Sequence, residues 1–261
     1  MTSTDSRFTP GTFAPAPRPA APAAMIAAQT RMELTLLLRN GEQLLLTMFI
    51  PIALLVGLTV LPIGDDVLTI DTLVPAIMAV AVMSTAFTGQ AIAVGFDRRY
   101  GALKRLGATP LPTWGVIAGK TLAVVIVVGL QATILGAIGF ALGWRPDPLG
   151  LVIGAGAMAV GVFAFASLGL LLGGTLKAEV VLALANLLWF VGSAIGSLVV
   201  VDRHLPDVVV LLARLSPSGA LTEALIRATT GGGFDLFGIA VLLVWGVLGS
   251  TAAVRLFRFT G

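Results

Sequence analysis

Residues 96–120 read FDRRYGALKRLGATPLPTWGVIAGK, the one strongly charged island between two long apolar runs. Five of the chain's sixteen Lys and Arg residues lie here (Arg98, Arg99, Lys104, Arg105 and Lys120), against a single acid, Asp97. Wound as a helix at about 100° per residue, the stretch puts Phe96, Tyr100, Leu103 and Gly107 on one face. Arg98 and Arg105 then fall opposite, with Arg99 and Lys104 on the borders. Thr109-Pro110 stops the helix, because proline disfavours helical geometry at the residue before it. Such an element suits a membrane surface, or a protein partner beneath it. A basic loop that only sets topology would have the same composition.

Composition fixes the class. Of 261 residues, 57% are hydrophobic and 11% charged, roughly half the charged share of a soluble domain. That marks an integral membrane protein. The net charge of +3 does not point to nucleic acid, because the cations sit in short segments between apolar runs. No cysteine is present, so disulfides, thiolate metal sites and thiol nucleophiles are excluded.

Outward from the island, six uncharged apolar runs each approach the ~20 helical residues that a bilayer core requires. They are 43–62, 73–96, 121–144, 149–176, 180–201 and 236–254, and the fold class is an all-α membrane protein with six transmembrane helices. Residues 1–24 are rich in proline and alanine and read as a disordered cytoplasmic tail. Residues 25–42 mix Ile26, Met32, Leu36 and Leu37 with Gln29, Arg31, Glu33 and Arg39, the pattern of an interfacial amphipathic helix ended by Asn40-Gly41. Residues 43–261 form one transmembrane domain. The segment 202–235 is too interrupted to span: VVVLLARL (208–215) and SGALTEALIRATTGGG (218–233) read as two short helices that dip into the outer leaflet or cap the bundle.

Charge sets orientation. With the amino terminus cytoplasmic, Arg7, Arg18, Arg31, Arg39, the five cations of the island, Lys177, Arg255 and Arg258 lie inside. Only Arg145, Arg203, Arg214 and Arg227 lie outside, so the positive-inside rule favours both termini in the cytoplasm.

Chemistry-bearing motifs are sparse. GVIAGKT (115–121) has three residues between Gly115 and Gly119 where a phosphate-binding loop needs four, and a membrane span follows it. His204 is the only histidine, which excludes His-cluster metal sites. The six apolar runs hold no Asp, Glu, Lys, Arg or His, which argues against a proton-driven transporter or ion channel. A lipid-modifying membrane enzyme would need clustered acids, His or Arg at one face. Within the spans Gln90, Gln131 and Asn186 are candidate pathway or helix-packing residues; Gln131 and Asn186 each call for a partner across helices. Gly169–Gly173 and Gly192–Gly196 have the spacing of close helix contacts.

The island also resembles the signature of ABC-2-type permeases, the membrane subunits of ATP-driven exporters, in the run E-R-E-x-G-T-L-E-R-L-L-A-T-P-L-S-R-W closed by Gly-Lys. Arg98, Gly101, Leu103, Arg105, Leu106, Ala108, Thr109, Pro110, Leu111, Trp114, Gly119 and Lys120 match it. Asp97 stands for the usual Glu, Ala102 for Thr, and Lys104 reverses an acid. LSPSGALTEALIRA (215–228) is similar to the family's segment before the last span, and the drug and antibiotic exporters of the daunorubicin-resistance type are nearest in character. The resemblance implies a bacterial plasma-membrane permease with a cytoplasmic coupling helix and a short extracellular helical hairpin. It implies an ATP-binding cassette ATPase as partner, carrying the ATP and Mg, with no cofactor in this chain. It implies a second permease chain as homodimer or heterodimer, in a lipid bilayer. Asp97, Arg98, Arg99, Tyr100, Gly101, Leu103, Lys104, Arg105, Leu106, Thr109 and Pro110 would couple to the ATPase. The substrate would be amphipathic or lipid-like: a drug, an antibiotic, a lipid or a glycan-lipid. A membrane anchor that recruits an ATPase without transporting is the alternative that sequence leaves open.

Overall fold

The structure, a computed structural model, describes residues 12, 20–60, 69–201 and 205–256. Most of the expected tail, most of the acidic loop from Gly64, His204 and Arg258 fall outside the described residues. All regular elements among the described residues are helical, and the chain is an all-α membrane protein. Among the described residues, five helices are long and apolar enough to cross a bilayer, or six if the bent pair Asp207–Leu215 and Pro217–Thr229 is one span.

Helix α1, Pro22–Arg39, begins three residues ahead of the expected Met25, because Pro22 occupies its first turn, where a missing N–H costs nothing. It packs along α6, Thr113–Ala141. Helix α2, Gly41–Val60, follows directly. The second span is a composite of α3 (Ile70–Val82), a π-helical stretch (Met83–Gly89) and α4 (Gln90–Arg99). Helix α7, Pro148–Thr175, sits at the centre of the bundle and packs against α4, the π stretch, α10 (Pro217–Thr229) and α11 (Leu236–Leu256). Asp147 caps it by accepting from the Gly150 N–H at 2.7 Å. Helices α8 (Ala178–Val200) and α11 (Leu236–Leu256) complete the long elements.

Small residues explain the central place of α7. Its buried face includes Gly150, Gly154, Ala157, Gly161, Gly169 and Gly173, so neighbouring backbones can come close where lipid offers no hydrophobic drive to association. A Cβ at Gly169 would lie 2.8 Å from the Phe87 carbonyl oxygen and 3.0 Å from that of Ala86. That contact falls on the π stretch. Of the second glycine pair, Gly192 approaches the Met83 sulfur and Gly196 the Thr222 hydroxyl, so both expected pairs serve contacts inside the chain.

The segment before the last span resolves into α9, Asp207–Leu215, and α10, Pro217–Thr229, bent by 100° at Ser216. The Ser216 hydroxyl caps α10 through the Gly219 N–H at 3.0 Å. Helix α10 enters the bundle, burying Ala220, Leu221, Ala224, Leu225 and Ala228, and it packs on α3, α7, α8 and α11. Helix α9 keeps Val208, Leu211 and Leu212 exposed. Helix α10 is held inside the bundle because its apolar residues fit the glycine face of α7: Gly161 receives Leu221.

Two boundaries differ from expectation with consequences for function. The third long helix starts at Thr113, not at residue 121, and the second ends at Arg99. Lys120, Asp97 and Arg98 therefore lie within these helices, at the end of the bundle away from α10, and the charge-free spans are charge-free only in their middle portions.

Candidate functional site

The charged island does not fold as one helix. Helix α4 ends at Arg99, and Gly101, with φ of 70°, starts a separate short helix α5, Ala102–Gly107. An L side chain there would be strained, so the glycine makes the break possible. The break divides the expected faces. Leu103 is buried, as the stripe required, but Tyr100 is 67% exposed and stacks on Phe96 at 5.9 Å.

Arg98 and Arg105, expected on one charged face, part company. Arg98 is buried, and its Nη1 donates to the carbonyl oxygens of Gly173 at 2.9 Å and Leu176 at 3.0 Å. Those carbonyls end α7, where a cation also complements the helix dipole. Arg99 pairs with Glu179 in the first turn of α8 and lies over the Phe96 and Tyr100 rings. Arg105 and Lys104 are exposed and make no ion pair among the described residues. Thr109 donates to the Leu106 carbonyl at 2.6 Å, and Pro110 follows it in the exposed turn before α6.

Leu103 anchors α5. It belongs to a small core with Val94 of α4, Val116 of α6, Leu170 of α7 and Ala253 of α11, with Leu106 packed against it. Four long helices thus meet the one buried side chain of α5.

Beside it lies a cluster that sequence reasoning missed. Lys120 Nζ sits 2.8 Å from Glu33 Oε1 of α1 and 2.7 Å from Asp97 Oδ2 of α4. Gln29 Nε2 donates to the same Glu33 oxygen at 2.7 Å. Gln29, Glu33 and Lys120 are all buried. The signal for Glu33 was available: Gln29 and Glu33 are four apart, hence on one face of α1, but an amphipathic reading turns both toward water. The segment 115–121 is uninterrupted α6, with no loop to wrap a phosphate.

Deeper in the bundle, Gln131 accepts from the Thr85 hydroxyl at 2.9 Å and donates to the Thr47 carbonyl at 3.1 Å. It ties α6 to the π stretch and α2. Asn186 does not pair across helices as expected: it is exposed on α8 and donates to Leu182 of its own helix at 2.8 Å. Its own helix thus takes up an N–H of the amide. Gln90 is buried with neither amide atom paired, seven residues before Asp97 and so on the same face of α4. Gln131→Leu should lower stability by about 0.5–2 kcal/mol, and Asn186→Leu should leave it unchanged; thermal melts of the two purified variants check the contrast.

A glycine-lined bundle of long apolar helices with a short helix anchored at one end describes a multi-pass membrane protein. The chain matches the ABC-2 family transporter protein family over residues 65–256, well over half its length, and it belongs to that family. No individual curated protein is recognisably similar to it.

Proposed function

We propose that this chain is the permease subunit of an ATP-binding cassette exporter, driven by a separate ATPase through α5. The observation that carries the reading is the two-sided character of α5. Lys104 and Arg105 are exposed, while Leu103 is plugged where α4, α6, α7 and α11 meet. A push on the outer face would reach four long helices through one side chain. ATP and Mg would act in the partner, and a second permease chain would complete the transporter. Both termini would lie in the cytoplasm, at the plasma membrane of a bacterium, so that α5 meets the ATPase. The substrate is amphipathic or lipid-like, because the middle portions of the spans offer a charged solute no counter-ion. ATP drives transport insofar as it binds one permease state better than another.

The test is a Lys104→Glu/Arg105→Glu variant of the reconstituted complex. Both positions are exposed and make no ion pair among the described residues, so folding and membrane insertion should be normal. ATPase co-purification should fall about tenfold, and substrate-stimulated hydrolysis with it, since charge reversal at a desolvated contact costs well over 1.4 kcal/mol. Wild-type recruitment and coupling in that variant would reduce α5 to a topological loop. Normal recruitment and hydrolysis without substrate flux in the unmodified complex would favour a non-transporting anchor.

A further inference from the structure

Helix α8 is the least enclosed of the long helices. Of its membrane-spanning stretch 17% is buried, against 39% or more in each of the other four spans among the described residues. Its glycine pair, Gly192 and Gly196, turns inward to Met83 and Thr222, so the other side is left to the bilayer. Phe190 is 67% exposed there, and Ala183, Asn186 and Ser197 are exposed with it.

Asn186 does not suit such a surface. It lies eight residues beyond Ala178, the start of α8, which is about 12 Å at the helical rise. The ion pair of Arg99 with Glu179 marks the aqueous end from which that depth counts, and a hydrocarbon core is about 30 Å thick. One amide N–H goes to the Leu182 carbonyl, and Asn186 makes no other hydrogen bond among the described residues. In a chain alone in the bilayer, its carbonyl oxygen and second N–H have only acyl chains beside them, which neither donate nor accept.

The neighbours of Asn186 set a spacing. Ala183, Asn186, Phe190, Ser193 and Ser197 follow at intervals of three, four, three and four. That period of 3.5 is the seam of two helices wound left-handed about each other. Alanine and two serines in it allow close approach, the usual basis of helix association in lipid. An amide with one donor and one acceptor to spare is complementary to a second such amide. Two copies of one chain insert in the same orientation, so their α8 helices run parallel, and a seam residue meets itself across the two-fold axis.

We infer that α8 is the surface on which a second copy of this chain packs, the two Asn186 amides bonding to each other across the axis. The inference gives the second permease chain proposed above its contact surface, and it rests on that proposal. Glu179, four residues before Ala183 on the same line, meets its counterpart with its charge balanced by Arg99.

Because the chain has no cysteine, disulfide trapping reads the contact directly. The full chain is expressed without an ATPase, carrying Ala183→Cys, Ser197→Cys or Leu188→Cys, and oxidised in the membrane. Leu188 is exposed on the other side of α8, about 160° from Asn186. Ala183→Cys and Ser197→Cys should give a linked product of two chains, and Leu188→Cys at least tenfold less. In micelles, Asn186→Leu should weaken association roughly threefold to tenfold, and Asn186→Gln, which keeps an amide, should lose less. No linked product from either seam position, or as much from Leu188→Cys, would overturn the inference, as would unchanged association of Asn186→Leu. A product of any other mass would assign the face to a different chain and overturn it too. No ATPase or substrate is present, so these outcomes do not bear on α5, and a failure of ATPase recruitment would not bear on them.

Discussion

Lys120→Met should be among the most damaging single changes in the chain. The lysine side chain is 7% exposed and neutralises Glu33, itself 10% exposed, while Asp97 keeps a third of its surface. Removing the cation strands a buried carboxylate, which costs about 3–5 kcal/mol when a partner of a buried pair is lost. For a chain of this length that is roughly 10 °C in Tm. The sign of the double mutant identifies the cause. Lys120→Met/Glu33→Gln leaves Asp97 able to hydrate and gives residue 33 an amide that Gln29 can still meet, so it should recover most of the loss. A scan of purified protein by fluorescence-detected size exclusion after heating reads both variants. Lys120→Met that melts with the wild type, or a double variant worse than the single, would remove the triad from the account. Gly119 belongs to the same arrangement: a Cβ there would strike the Gln29 side chain. The Gly-Lys pair that closes the charged island is therefore one packing device. Glycine admits α1, and lysine fastens it.

The helical class and most long elements were legible because apolar length is a one-dimensional property. Runs such as 149–176 and 236–254 need only be counted, and α7 and α11 begin within one residue of those bounds. The helix starts near charge were not legible. Lys120 reads as the end of a loop until Glu33, 87 residues earlier, is known to stand beside it, and a buried triad drawn from three elements leaves no local spacing. The same limit hid the fate of Arg98. Helical periodicity placed it with Arg105, but Gly101 breaks the periodicity between them, and the carbonyls that Arg98 serves are 75 and 78 residues away. Asn186 failed in the opposite direction. Hydropathy says an amide in a span needs a partner, and inside the chain the Leu182 carbonyl one turn back takes up one of its N–H groups.

Gly173→Ala should be the second large effect, and it links the glycine seam to the arginine clamp. The added methyl would run into the carbonyl oxygen of Ala91 and lie 2.9 Å from the Val94 Cβ. The first of these is helix backbone, which cannot rotate aside, so α4 must move away from α7. Overpacking of this kind costs about 1–3 kcal/mol. Arg98 adds to it: its two hydrogen bonds reach Gly173 and Leu176 only while α4 stays close, and bonds to a charged donor are worth about 1.5–3 kcal/mol each. The two losses share one geometry and should not add. Arg98→Ala alone uncaps α7 and lowers Tm. In the Gly173→Ala background the same change should cost less, leaving a coupling energy of about 1–2 kcal/mol. Arg98→Lys should rescue only part, because a single ammonium does not reproduce the guanidinium's fixed fork of donors. The measurement is a four-variant cycle of thermal melts, run beside ATPase recruitment in the complex. Additive losses would show that the clamp and the seam are separate. Intact recruitment in Arg98→Ala, with lowered stability, would assign Arg98 to the scaffold that holds α5 in place, and leave contact with the ATPase to Lys104 and Arg105.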